Sequence, residues 1–388
     1  MAALSSGKFA LRQLPCILRM PGIQGRRRRR PVICLCKIDT PVTTDRDQHK
    51  RGFSAAGRQA VTLAHVAKLA NVSEITVSRI LRDIGPVSPT TRQRVLAVVA
   101  HTGYVRNRVA GTLASATSNL IGVVVPSLSN IVFADVLRGI DAGLEPSGFR
   151  PVIGITDYSA GVEEKLVESL LAWKPAAMII VGFDHTDPTR RRLEQSGVRV
   201  AELMDIDSVP IDLAVGLSHC TAGYETGRYL VQRGYHRFGY VGHDWNVDRR
   251  ARLRWDGLSK ALAEAGLAIV DQVLHDGPSS ALAGRTMLAK LLAQTHGLDV
   301  VVFSNDDMAA GGVFHCMAAG LAPRRDIALF GFNGLDIGQA LPTPLSTILS
   351  NRFLIGRVAA EEILSQPSRE ALPRVIDTGF EIIPGATA

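Results

Sequence analysis

From Leu120 to the carboxyl end the chain repeats one pattern: a short run of Val, Ile, Leu and Ala, then a helix-period stretch, then another apolar run. The runs are Ile121–Val125, Val152–Ile155, Ala177–Val181, Val198–Leu203, Phe238–Val241, Val300–Phe303 and Ala328–Phe332. Between them, Phe133–Glu145, Val162–Ala172, Ala222–Arg233 and Leu282–Gln294 each read as an amphipathic helix. Strands separated by helices need crossover connections, so they pair in parallel with helices packed on the sheet. The pattern predicts an α/β fold, and about 270 residues of it are too many for one small sheet.

Ahead of Leu120 the chemistry changes. Residues 1–60 carry 13 Lys+Arg against 3 Asp+Glu, residues 61–120 carry 7 against 2, and residues 121–388 carry 24 against 31. A basic amino-terminal third on a mildly acidic body points to nucleic acid at one end and a different ligand at the other. Residues 1–60, with the run Arg26–Arg30, have no periodicity and are expected to form a basic, disordered extension.

Order is expected from Val61. Thr62 caps a short helix whose Leu63, Val66, Ala67 and Ala70 share one face. Asn71-Val72 makes a turn, and Ser73 caps a second helix with Val77, Ile80 and Leu81 inward and Glu74, Ile75, Ser78, Arg79 and Arg82 outward. Ser88 and Pro89 open a third, expected to bury Val95, Leu96 and Val99 and to end at Gly103. Three short helices with a tight turn between the first two form a helix-turn-helix unit, whose second helix can enter a major groove.

The words of this segment are specific. V-A-x-x-A-x-V-S (Val66 to Ser73), T-V-S-R (Thr76–Arg79), V-S-x-x-T-R (Val87–Arg92) and G-Y-x-x-N (Gly103–Asn107) closely resemble the DNA-binding head of the lactose-repressor (LacI) family. The resemblance implies that Glu74 and Ile75 choose operator sequence and that Arg79 reads guanine. An Arg fork matches guanine O6 and N7, Glu accepts from cytosine N4, and Ile touches a thymine methyl. Thr62, Ser73, Thr76, Ser78, Tyr104 and Asn107 are expected on phosphates, with Arg108 completing the DNA-binding set; Ser73 and Thr76 have capping and packing as the plainer role. Asn107–Ala116 resembles the family's hinge helix, with Leu113 in place of its minor-groove wedge; Arg106 stands where the family usually has proline.

The resemblance divides the chain into 1–60, the head at 61–106, the hinge and linker at 107–119, and a two-lobed periplasmic-binding-protein-like core at 120–388. The first lobe is expected at 121–217 plus 347–370, the second at 218–346 plus the carboxyl end. In such folds ligands bind in the cleft beyond the carboxyl ends of the strands. That places Ser127, Asn130, Phe133, Asp205, Arg252, Asn305, Asp306 and Asn333 at an effector site, with His185, Thr186 and Gln339 as further hydroxyl contacts. Core packing for Phe133 and helix capping for Asp306 are the structural alternatives.

The family commonly has an acid where Asn333 stands, and its loss favours an anionic effector, with Arg252 to pair a carboxylate. The strings VVVPSLSNIVFADVLRGI (123–140), AELMDIDS (201–208), IDLAVGLS (211–218) and GFNGLDIGQ (331–339) resemble the gluconate-utilisation repressor branch. The expectation is a cytoplasmic, nucleoid-associated homodimeric or larger repressor of carbohydrate genes, released from a palindromic operator by gluconate or a related sugar acid. The alternatives are a family member answering to a neutral sugar or purine, and a periplasmic-type sugar receptor.

An enzyme is not expected. The chain lacks G-x-G-x-x-G after a strand, a P-loop, HExxH and G-x-S-x-G, and Gly311-Gly312 lies inside a helix pattern. No cofactor and no metal are expected: Cys16, Cys34, Cys36, Cys220 and Cys316 show no CxxC pair, and His219-Cys220 and His315-Cys316 are neighbours that point apart on helices. No run approaches the ~20 apolar residues of a membrane span.

Overall fold

The computed structural model describes residues 61–105, 118–246, 248–365 and 373–388. The chain divides into two compact units, with the division between Tyr104 and Val105. The expected extension at 1–60 and hinge at 107–116, with Arg106, Asn107, Arg108 and Leu113, lie outside the described residues.

The head is α1 (Leu63–Ala70), α2 (Glu74–Arg82) and α3 (Pro89–Thr102). Each start is made by a local hydroxyl: Thr62 accepts from the His65 N–H, Ser73 from Thr76 and Ser88 from Thr91. The α1–α2 turn needs a left-handed residue, and Asn71 supplies it at φ 51°. Val66, Ala67, Ala70, Val77, Ile80 and Val95 close the core. Leu96, expected inside, is 46% exposed, because the buried line of α3 runs through Val95 with Val98 and Val99 at its edge.

The body begins with β1 (Leu120–Val125), α4 (Ile131–Leu144), β2 (Arg150–Ile155), α5 (Ala160–Ala172), β3 (Ala177–Val181), α6 (Asp187–Gln195), β4 (Arg199–Leu203) and β5 (Leu213–Gly216). The chain then crosses to α7 (His219–Gln232), β6 (Phe238–His243), α8 (Arg249–Glu264), β7 (Ile269–His275), α9 (Ala281–Gln294), β8 (Val300–Phe303), α10 (Asp306–Ala319), β9 (Ala328–Phe330) and the short α11 (Asp336–Gln339). It returns through β10 (Thr347–Ser350), α12 (Arg352–Ser365), β11 (Arg374–Asp377) and β12 (Phe380–Ile383).

The first lobe is a six-stranded parallel sheet in the order β11-β5-β4-β3-β1-β2, and the second is a four-stranded parallel sheet, β7-β6-β8-β9. β10 and β12 pair antiparallel between the two. β11 lies beside β5, so the first lobe takes back residues 374–377 rather than ending at 370. One hydrophobic cluster runs through the crossings, joining Ile121 and Val215 to Phe238 and Phe330 by way of Leu217, Phe332 and Ile348. α7 and α8 meet backbone to backbone: a Cβ on Gly223 would lie 1.9 Å from the Arg254 carbonyl oxygen, and one on Gly257 would lie 2.0 Å from that of Cys220. This close approach fixes which face of α8 looks into the cleft.

Candidate nucleic-acid interface and effector cleft

On the head, Glu74, Ile75 and Arg79 are exposed along one side of α2, opposite buried Val77 and Ile80. Ile75 is 65% exposed at the helix start, an apolar side chain placed as a thymine contact would require. The Ser78 hydroxyl accepts from Arg82 at 2.9 Å, while the hydroxyls of Ser73 and Thr76 lie 2.8 Å apart. Tyr104 is half-buried against the core.

In the body, the first lobe brings Ser127, Asn130, Phe133 and Tyr158 to one wall. The hydroxyls of Ser127 and Ser129 lie 2.9 Å apart, and Asn130 both caps α4 and donates to the Tyr158 hydroxyl at 3.3 Å. Phe133 is buried in the core, yet its ring faces the second lobe, with the Arg250 guanidinium 5.5 Å from its centroid. Asp205 is buried at the end of β4, where burial raises its carboxyl and the Asp207 N–H and Arg249 oppose that rise. Two cavities, of about 460 and 170 Å³, open along the cleft and share Tyr158.

The second wall corrects the arginine assignment. Asp248 caps α8, and Arg250 and Arg254 follow four residues apart on one face, as helical geometry dictates. Arg252, two residues from each, is turned the other way. Its side chain is 48% exposed, paired with Asp256 at 2.9 Å and laid over the rings of Trp245 and Trp255, so it is not a cleft residue. Arg250 instead enters the cleft: its Nε reaches Asp248 at 3.3 Å, while its buried Nη1 has no hydrogen-bond partner among the described residues. Burial disfavours the Asp248 carboxylate, but Arg250 and the His243 ring 3.4 Å away hold it well below the usual range.

Arg254 donates to the Ser304 carbonyl at 2.8 Å and lies over Phe332. Its Nη1 is 3.0 Å from Nδ1 of His219, whose Nε2 is 2.7 Å from the Met204 carbonyl oxygen. A carbonyl and a guanidinium leave one tautomer: Nε2–H donates and Nδ1 accepts. Burial, together with the charges of Arg254 and Arg250, holds this imidazole neutral. Arg249 bridges the lobes, to Ser208 at 3.0 Å and Asp205 at 3.5 Å.

Other expected contacts are turned inward. Asn305 supplies the α10 cap, accepting from the Met308 N–H at 3.1 Å. Asp306 is fully buried and accepts from Thr347 and the Leu335 N–H, each at 2.6 Å; it pins two crossing segments and is sealed from a ligand. Asn333 sits at a crossing with φ 115°, its side chain 3.4 Å from Ser350 and its carbonyl held by Arg352. His185 is enclosed between Glu163 at 2.7 Å and Glu202 at 3.3 Å, and against burial these carboxylates push it up to about 9. Thr186 caps α6 and bonds Glu164, and Gln339 donates to the Leu345 carbonyl. His185, Thr186 and Gln339 are therefore framework contacts rather than effector contacts.

Sequence reasoning did not place Arg250 and Tyr158 on the cleft, nor Arg254 and His219 buried behind it. The signal for the arginines was present: an Asp cap at 248 with Arg at 250 and 254 defines one face of one helix. Among the described residues no group of three or more His, Cys, Asp or Glu is placed to hold a metal ion, and no helix is long and apolar enough to cross a membrane.

Comparison with known proteins gives a consistent neighbourhood. Residues 118–379 match the family described as periplasmic binding proteins and sugar binding domain of LacI family, and residues 62–107 match bacterial regulatory proteins, lacI family. The HTH-type transcriptional regulator GntR of Pseudomonas aeruginosa is 37% identical over 324 residues, covering 83% of this chain and 94% of that protein. The regulator of the same name from Escherichia coli K12 is 34% identical over 326 residues, covering 84% and 98%. A solved LacI-family transcriptional regulator from Silicibacter pomeroyi superposes with a TM-score of 0.79 at 41% identity, over 84% of this chain and 98% of that one. The lac repressor dimer bound to operator shares the fold, with a TM-score of 0.75 at 24% identity over 85% and 99%.

Proposed function

The chain belongs to the LacI family of transcriptional repressors, and we propose that its effector is a sugar acid such as gluconate, which releases the protein from a palindromic operator. The observation that carries this reading is Arg250. Its guanidinium lies in the cleft against Phe133 of the opposite lobe, with a buried Nη1 that no described residue satisfies. A buried donor without an acceptor is costly, and a ligand carboxylate would satisfy it with a charge-assisted bond. The likeness of 123–140, 201–208, 211–218 and 331–339 to the gluconate branch, and 34–37% identity to two GntR-named regulators, support the same class.

In this reading Glu74, Ile75 and Arg79 read bases, Thr62, Ser73, Thr76, Ser78 and Tyr104 hold phosphates, and two copies of the head meet two half-sites in the cytoplasm. Ser127, Asn130, Tyr158 and Asp205 take the ligand hydroxyls. A neutral sugar is the second reading, favoured by Asp157, Asp244, Asp276 and Asp307 around the wider cavity, since carboxylates accept hydroxyl hydrogens readily. Fluorescence anisotropy of the full-length protein on a palindromic duplex selected in vitro separates them. Gluconate should release the duplex and glucose should not; release by glucose alone would replace the first reading by the second.

A further inference from the structure

We infer that His219 is a positioning residue through which occupancy of the cleft at Arg250, felt at Arg254 one turn along the same face of α8, is passed to the first lobe at Met204; this rests on the sugar-acid reading above. His219 is the first residue of α7, reached directly from β5 by the crossing at Leu217-Ser218. It is 2% exposed, its ring lies 5.6 Å from that of Phe332, and its two nitrogens are spent on opposite lobes. Nδ1 accepts from Arg254 on α8, and Nε2–H donates to Met204 at the end of β4. A neutral imidazole is a rigid ring with one acceptor and one donor, so displacement of the guanidinium at one end is felt at the carbonyl at the other.

The receiving end is poised to respond. Met204 has φ 75°, in the left-handed region that a side-chain-bearing residue adopts only when its surroundings hold it there. Its N–H is tied to the Val215 carbonyl at 2.9 Å, and its carbonyl faces His219. Gly216 makes room for this backbone, since a Cβ there would lie 2.7 Å from the Met204 carbonyl carbon. The next residue, Asp205, carries the 3.5 Å pair to Arg249 across the cleft. A ligand carboxylate on Arg250 draws on the face of α8 that also carries Arg254, weakens the pull on Nδ1, slackens the hold on the Met204 carbonyl and shifts Asp205 against Arg249. A strained peptide held from both lobes is an element whose position both sites can bias.

The test uses the full-length protein, gluconate and the in vitro selected duplex. His219→Phe keeps the ring beside Phe332 but removes both hydrogen bonds; His219→Gln replaces both, with Oε1 accepting and Nε2 donating. Duplex affinity without gluconate, divided by affinity with saturating gluconate, measures the coupling, for which about 5- to 150-fold is typical. In His219→Phe the ratio should fall to within about twofold of one while calorimetry still detects gluconate, and His219→Gln should recover most of it. A merely structural histidine would instead lower thermal stability in both variants without this separation. A wild-type ratio in His219→Phe, or a folded His219→Gln with no recovery, overturns the inference. Imidazole ¹⁵N spectra of the wild-type protein test it without a variant: the His219 Nδ1 resonance should move on adding gluconate, and an unmoved resonance overturns it. If the wild-type protein shows no heat with gluconate, the sugar-acid reading falls and this inference with it.

Discussion

Arg250→Ala and Arg252→Ala are two residues apart on one helix and should fail in different assays. Arg252 is 48% exposed and its partner Asp256 43%, so the i,i+4 pair is worth about 0.3–0.5 kcal/mol and is screened by salt. Its place over Trp245 and Trp255 adds about 0.5–1 kcal/mol at an exposed site. Arg252→Ala should therefore lower thermal stability by about 1 kcal/mol and leave gluconate affinity within about twofold. Arg250 is only 14% exposed and faces Phe133 across the cleft. A charge-assisted hydrogen bond from its Nη1 to a carboxylate is worth about 1.5–3 kcal/mol, so Arg250→Ala should weaken gluconate roughly 10- to 150-fold. Arg250→Lys should recover part of this, because a point charge can meet the ligand but cannot hold Asp248 with the same fork. Isothermal titration of the three full-length variants, with thermal melts as a check on folding, decides the matter. Loss of gluconate binding in Arg252→Ala, with wild-type affinity in Arg250→Ala, would refute the assignment of the cleft face.

Arg79→Ala should cost operator affinity about 1–3 kcal/mol and relax preference at one base pair per half-site, read by selection on randomised duplexes; unchanged preference would remove Arg79 from base reading. Burial pushes the Asp306 carboxyl up to about 6, and the hydrogen bonds from Thr347 and Leu335 and the charge of Arg352 offset this only in part. Its contribution to stability is thus full below the unfolded value of ~3.9 and is lost as pH rises through about 6. Asp306→Asn can keep both bonds uncharged, so denaturant titrations should show it more stable at neutral pH, by at most about 3 kcal/mol, and flatter across that window.

What the chain could disclose without its fold was whatever depends on near neighbours. Thr62, Ser73 and Ser88 were legible as helix starts because each hydroxyl bonds an N–H three residues on. The strand–helix alternation was legible because one buried sheet asks for apolar runs and its crossovers ask for amphipathic stripes. β11 was not: its alternating burial carries little apolar signal, and its partner β5 lies some 160 positions away. Asp306 and Asn305 are adjacent and chemically alike, yet one pins the crossings and the other caps a helix, because only the returning chain brings Thr347 to Asp306. The sequence showed arginines at 250, 252 and 254 and the helical period that separates them. Which of them faces the cleft was decided by the contact of α7 and α8 at Gly223 and Gly257, a packing choice between segments some thirty residues apart that no local periodicity encodes.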